Sequence, residues 1–131
     1  MATNPLYSAL KQQALHDYNL VSSMAPPKSP FPDWVIIISF YMSLHCVNAH
    51  AARIGWKWKH YNRKDPFKLS RHTQALRYVR RKLGEVAFKD YNHLFGECWN
   101  ARYDPFYLKN TSPLYADNLF KLAKKFLKIL A

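Results

Sequence analysis

Three side chains in this 131-residue chain stand at positions where helical spacing calls for apolar neighbours. His45 interrupts the apolar run Trp34–Val47, which otherwise yields only Ser39 and Ser43. His72 falls three residues after Leu69 and four before Leu76, and Arg102 falls four after Cys98 and seven after Phe95. An imidazole exchanges protons near neutral pH, and a guanidinium holds phosphate oxygens. Together they have the parts for metal-free RNA cleavage, which needs a base near the 2′-hydroxyl and a cation near the phosphate. His60 and Arg63 are further candidates, from a loop. The structural alternatives are hydrogen-bonded inner histidines and an arginine paired with Asp104 or a helix end. No metal and no cofactor is expected. His45 and His50 are five apart, about 140° round a helix, so they cannot form the i, i+4 pair of a zinc helix. Tyr41 and His45, four apart, do share a face.

A second set of residues suits an anionic partner. Lysine and arginine outnumber acids twenty to eight, for a net charge of +12. Such an excess costs stability by self-repulsion, which bound anion relieves. The cations cluster. The loop reads Trp56-Lys57-Trp58-Lys59-His60-Tyr61-Asn62-Arg63-Lys64, and the next helical segment carries Lys68, Arg71, Arg77, Arg80, Arg81 and Lys82. Lys121, Lys124, Lys125 and Lys128 share a face near the C-terminus. Lysines and arginines neutralise phosphates, while Trp56, Trp58 and Tyr61 can stack on unpaired bases. The competing reading is a solvated basic face with its aromatics folded onto the protein.

The elements that position these groups are helices. Asn4-Pro5, Asp65-Pro66 and Ser112-Pro113 each set a capping side chain before a proline at the first helical position, and Asp33 is placed to cap another helix. Gly55 and Gly84 follow basic residues and suit helix ends. Gly96, inside a helical pattern, suggests a close helix contact. Five helices follow: Pro5–Asn19, Trp34–Ile54, Pro66–Leu83, Glu85–Tyr103 and Pro113–Leu130. The second is apolar nearly all round and belongs at the centre. The others carry stripes: Leu6, Leu10, Ala14 and Tyr18; Leu69, Leu76, Val79 and Leu83; Ala87, Tyr91, Leu94, Phe95 and Cys98; Tyr115, Leu119, Leu122, Phe126 and Ile129. The expected architecture is an all-α, up-and-down bundle forming one domain. On the last helix, Phe120, Leu127 and Leu130 widen the apolar arc, which fits either a helix wedged between neighbours or a homodimer contact. Cys46 and Cys98 read as buried thiols. The fourteen-residue apolar run is short for a membrane span, and no secretory signal is visible, so a soluble cytoplasmic protein with no membrane partner is expected.

Asp33-Trp34, Phe40-Tyr41, Leu44-His45 and Ala49, with His72, Tyr91, Leu94 and Ala101-Arg102-Tyr103, resemble the HEPN domains (higher eukaryote and prokaryote nucleotide-binding). The resemblance spans residues 5 to 130. It implies a small helical bundle that commonly dimerises and that acts as a metal-independent ribonuclease or toxin, or binds nucleotides or RNA without cleaving them. Catalytic members carry an arginine that holds phosphate, then four to six residues, then a histidine. Here no histidine follows Arg102, and Gly55 separates Arg53 from His60.

The sequence therefore leads to an RNA-directed, nucleic-acid-binding domain. Trp56, Lys57, Trp58, Lys59, Arg71, Arg77, Arg80 and Arg81 are its expected contacts, and His45, His72, Arg102, His60 and Arg63 its candidate catalytic groups. The alternative is a non-catalytic module that binds a nucleotide, or docks a protein on the apolar face of the last helix.

Overall fold

The computed structural model describes residues 4–24, 26–59 and 70–130. They form an all-α helical bundle: α1 (Pro5–Ser23), α2 (Pro32–Arg53), α3 (Arg71–Leu83), α4 (Glu85–Tyr103), the short α5 (Tyr107–Asn110) and α6 (Pro113–Lys124). A 3₁₀ turn at Pro26–Lys28 follows α1, and another at Lys125–Leu130 extends α6. Asn4 caps α1 by accepting from the Leu6 and Tyr7 N–H groups, and Ser112 caps α6 by accepting from Tyr115 N–H. Proline follows each cap, where its missing N–H costs nothing.

Four starts and ends differ from expectation, one of them the last helix, which gives way to the 3₁₀ turn at Lys125 instead of running to Leu130. Asp33 does not cap α2. The helix begins two residues earlier than expected, with Pro32 in its first turn, and Asp33 lies in that turn, where a carboxylate suits the positive end of the helix dipole. The third helix does not run on from Pro66: Ser70 caps it by accepting from Thr73 N–H, so His72 sits in its first turn. Asp65-Pro66, Lys68 and Leu69 lie outside the described residues. α1 runs one turn past Asn19, because Val21 is buried and carries the pattern on.

α2 is the centre, touching α1, α4, α6 and the C-terminal turn. Its run Val35-Ile36-Ile37-Ile38 is β-branched throughout, yet burial on all sides overrides local strand preference. By length and composition the 22-residue helix could cross a membrane, longer than the apolar run suggested, but most of it is covered by its neighbours. Phe40, 2 % exposed, sits against Tyr41, Tyr91 and Phe95, with ring centroids 5.5 to 5.8 Å away. Gly55, at φ +74°, closes α2: its N–H reaches Ala52 O, and Trp56 N–H reaches back to Ala51 O. That paired closure requires a left-handed residue.

The wide apolar arc of α6 is consumed inside the chain. Phe120 and Leu130 are buried, and Phe120 packs on Tyr18 at 5.8 Å. The face expected to dock a partner or a second copy is thus covered. Leu6, by contrast, is exposed, and the buried line of α1 is Ala14, Asp17 and Val21. Gly96 marks no close helix contact: a methyl group there would meet nothing within 4 Å. At one pole the chain ends converge on the end of α2. Asn4 Nδ2 donates to Ala52 O, Tyr7 Oη to Leu130 O, and Arg53 Nη2 to Ile129 O, at 2.8 to 2.9 Å.

Truncating Phe40→Ala removes the ring on which α2 and α4 meet. We expect a loss of about 3–5 kcal/mol in urea unfolding followed by helical ellipticity. A loss below about 1 kcal/mol would show that this contact does not organise the core.

Candidate functional site

The half-buried face of α2 carries Tyr41, His45 and Asn48, spaced i, i+4 and i+7. Each finds its partner on a different helix. His45 Nδ1–H donates to Asp17 Oδ2 of α1 at 2.6 Å, with the two side chains only 16 % and 12 % exposed. A carboxylate accepts but does not donate, so Nδ1 carries the proton of this bond and Nε2 is the ring nitrogen left outside it. Tyr41 Oη accepts from Arg102 Nη1 of α4 at 3.1 Å, and its ring lies 6.4 Å from that of His45. Asn48 Oδ1 accepts from Arg71 Nη2 of α3 at 2.8 Å.

Tyr41 therefore touches two of the five candidate catalytic groups, Arg102 by a hydrogen bond and His45 by ring contact. Arg102 does not pair with Asp104; it is exposed, held by Tyr41 and lying over the Tyr103 ring at 5.0 Å. His72 is also exposed rather than internal. Its ring rests on Phe95 at 4.9 Å and makes no hydrogen bond among the described residues. Partial burial, then the charges of Arg71 and Arg102, push its pKa below the usual histidine value. His72 thus shares the field of Arg102 and stays neutral at pH 7. His60 and Arg63 lie outside the described residues. Burial pushes the thiols of Cys46 and Cys98 up to about 12 and about 11, so neither is a nucleophile at neutral pH.

The expected nucleic-acid contacts divide into two groups. Trp56, Lys57, Lys59, Arg77 and Arg81, with Gln74 and Tyr78, line one cavity of about 240 Å³ between α3 and the segment after α2. Gln74, Arg77, Tyr78 and Arg81 occupy i, i+3, i+4 and i+7, one face of α3. The Gln74 amide holds the segment by two bonds, accepting from Lys59 N–H at 2.8 Å and donating to Lys59 O at 3.0 Å. Among the described residues, no carboxylate pairs with Lys57, Lys59, Arg77 or Arg81. The other three lie elsewhere. Arg80 turns to Glu85 at 3.1 Å and covers Phe88. Arg71 lies flat on Trp58 at 3.3 Å while bonding Asn48. Trp58 is therefore not free to stack on a base. It joins Trp56 and Tyr78 in an aromatic cluster with centroids 5.1 to 6.4 Å apart.

Behind this cluster, Tyr78 Oη and His50 Nδ1 are 2.6 Å apart. Burial, then Arg53 and Lys82, lower the His50 pKa, and burial pushes the Tyr78 hydroxyl up to about 12. The neutral imidazole accepts and the phenol donates. Of the α6 cations, Lys121 pairs with Asp117 and Lys125 with Asp90, which leaves that face less positive than its sequence suggests.

Asp17, Gln74 and Tyr78 join the two sites without having stood out in the sequence. Asp17 had a usable signal: it lies three after Ala14 and four before Val21, an acid on an apolar stripe. Gln74 had none, since its role depends on a loop that only the fold brings near. Compared with family models, curated proteins and solved structures, the chain matches none.

In a histidine NMR titration, His72 should have its midpoint below about 6.5. Arg102→Gln should raise it only partly, because partial burial is the larger cause. No movement on Arg102→Gln would place the guanidinium too far away to share a site with His72.

Proposed function

We propose that this chain is an RNA-binding domain of HEPN-like kind, with the cavity between α3 and the Trp56–Lys59 segment as its grip. One observation carries this reading. Four cations from two separate stretches of sequence gather around an aromatic-backed cavity, with no carboxylate pairing with them and no acid in the lining among the described residues. Holding like charges together costs free energy, and phosphate relieves it. The protein-docking alternative is weaker, because the apolar face of α6 on which it depended is buried within the chain.

The Asp17–His45 pair favours a second reading, cleavage of the bound strand without a metal. The carboxylate orients the imidazole and would stabilise its protonated form, the role an acid plays behind a catalytic histidine. His45 Nε2 would take the proton of a 2′-hydroxyl as its oxygen attacks phosphorus. The 5′-oxygen would leave with a proton from water, giving a 2′,3′-cyclic phosphate. Arg102, held by Tyr41, would stabilise the phosphorane charge.

Binding of single-stranded RNA should weaken with salt, by about 0.7 log units per phosphate contact for each log unit of salt. Arg77→Gln with Arg81→Gln should flatten that slope by about 1.4. A slope unchanged in the double variant would remove the cavity from the interface. For cleavage, labelled RNA in EDTA should be cut by the native protein. Loss should be at least about 100-fold in His45→Ala and smaller in Asp17→Asn. Equal cutting by all three would assign the activity to another source.

A further inference from the structure

The basic cavity has more charge and less room than a passing strand requires. An internal phosphodiester carries one negative charge. The lining offers Lys57, Lys59, Arg77 and Arg81, and Lys82 lies over the Trp56 ring at 5.6 Å. A terminal phosphate brings about two charges, and a phosphate chain brings more. The cavity, about 240 Å³, falls below the roughly 300–1,000 Å³ of pockets that enclose a drug-sized ligand. It suits the end of a molecule.

The aromatic groups are already engaged. Trp56 meets Tyr78 edge-on at 5.1 Å and has Lys82 above it, Trp58 lies under Arg71, and Tyr78 is 1 % exposed with its hydroxyl turned to His50. Each of these rings already has another side chain packed against it. The site reads charge, with the aromatics as its rigid back wall. It is also built in advance. The Gln74 amide pins the Lys59 main chain against α3, and the Gly55 closure fixes where Trp56 and Lys57 leave α2. A main chain set in place before binding lowers the freedom lost when its cations grip an anion.

We propose that this cavity recognises a terminal polyphosphate, the 5′-triphosphate end of an RNA strand. The proposal rests on the RNA-binding reading and sharpens it: the protein grips an end, and the rest of the strand runs over the outer basic surface. A free nucleoside triphosphate presents the same chemistry, so the test separates the two sources.

The probes are one short single-stranded RNA, 2′-O-methylated to prevent cleavage, carrying a 5′-triphosphate, a 5′-monophosphate or a 5′-hydroxyl. Affinities are measured by anisotropy with the full chain. We expect the triphosphate end to bind at least about tenfold tighter than the hydroxyl end, with the monophosphate between. Arg77→Glu and Arg81→Glu, both on exposed side chains, should abolish that advantage and leave the thermal melt unchanged. Lys128→Glu, away from the cavity, should keep it. Equal affinity for all three ends overturns the proposal while leaving RNA binding intact. If no RNA binds, the RNA-binding reading fails, and calorimetry with inorganic tripolyphosphate and with ATP then decides this one. Arg77-dependent binding of either sustains the polyphosphate site, with free nucleotide as its source, and no binding overturns it. Equally tight binding of polyglutamate also overturns it, in favour of an acidic protein segment.

Discussion

The central helix is covered over most of its surface, and its half-buried polar groups need partners in the process. The buried Ser39 hydroxyl alone on α2 finds none among the described residues. Tyr41, His45 and Asn48 cannot face the apolar interior without a partner, since a buried unpaired polar group costs about 1–3 kcal/mol. They share one face, and each draws a charged side chain from a different helix: Arg102 from α4, Asp17 from α1 and Arg71 from α3. The same bonds that satisfy the core helix gather the chemistry. Arg102 would be an ordinary surface cation without Tyr41, and His45 would have no fixed tautomer without Asp17. Stability and candidate chemistry are therefore hard to separate here. A variant that breaks one of these pairs also leaves its partner unsatisfied.

The basic cavity has a different origin. Its cations are exposed and owe nothing to the core. What brings them together is backbone geometry at the end of α2, where a left-handed glycine sends the chain back across α3. The Gln74 amide then holds that chain by both its donor and its acceptor. One site is assembled by the need to satisfy buried groups, the other by the path of a loop. They are linked through Arg71, which bonds Asn48 on α2 and stacks on Trp58 beside the aromatic wall.

Much of the fold was legible because it depends on local rules. Asn4-Pro5, Ser112-Pro113 and Gly55 act through short-range bonds, so they marked true boundaries, and the apolar circumference of α2 placed it at the centre. Asp33 misled because a proline one residue earlier already supplies a helix start. The stripes of α1 and α6 were harder to read, since which apolar residue is buried depends on the neighbour that covers it. Leu6 lost that role and Phe120 gained it. For the site, spacing singled out His45, Tyr41 and Arg102 as out of place among apolar residues. It could not tell that Arg102 would turn outward to Tyr41, or that Arg80 would be drawn off by Glu85. Those outcomes depend on partners distant in sequence or across a helix junction.

The three bonds at the pole of α2, from Asn4, Tyr7 and Arg53, make the chain a nearly closed ring. Residue 4 and residue 130 are both tied to the last turns of one helix or to each other's neighbours. A short bridge could join the two ends, and the ring could be opened at another surface turn without cutting a helix, giving a permuted chain with the same packing. Because Gly55 and Trp56 follow directly from that helix end, the first and last described residues lie beside the segment that walls the basic cavity, so the closure of the ring and the shape of the cavity share one helix end.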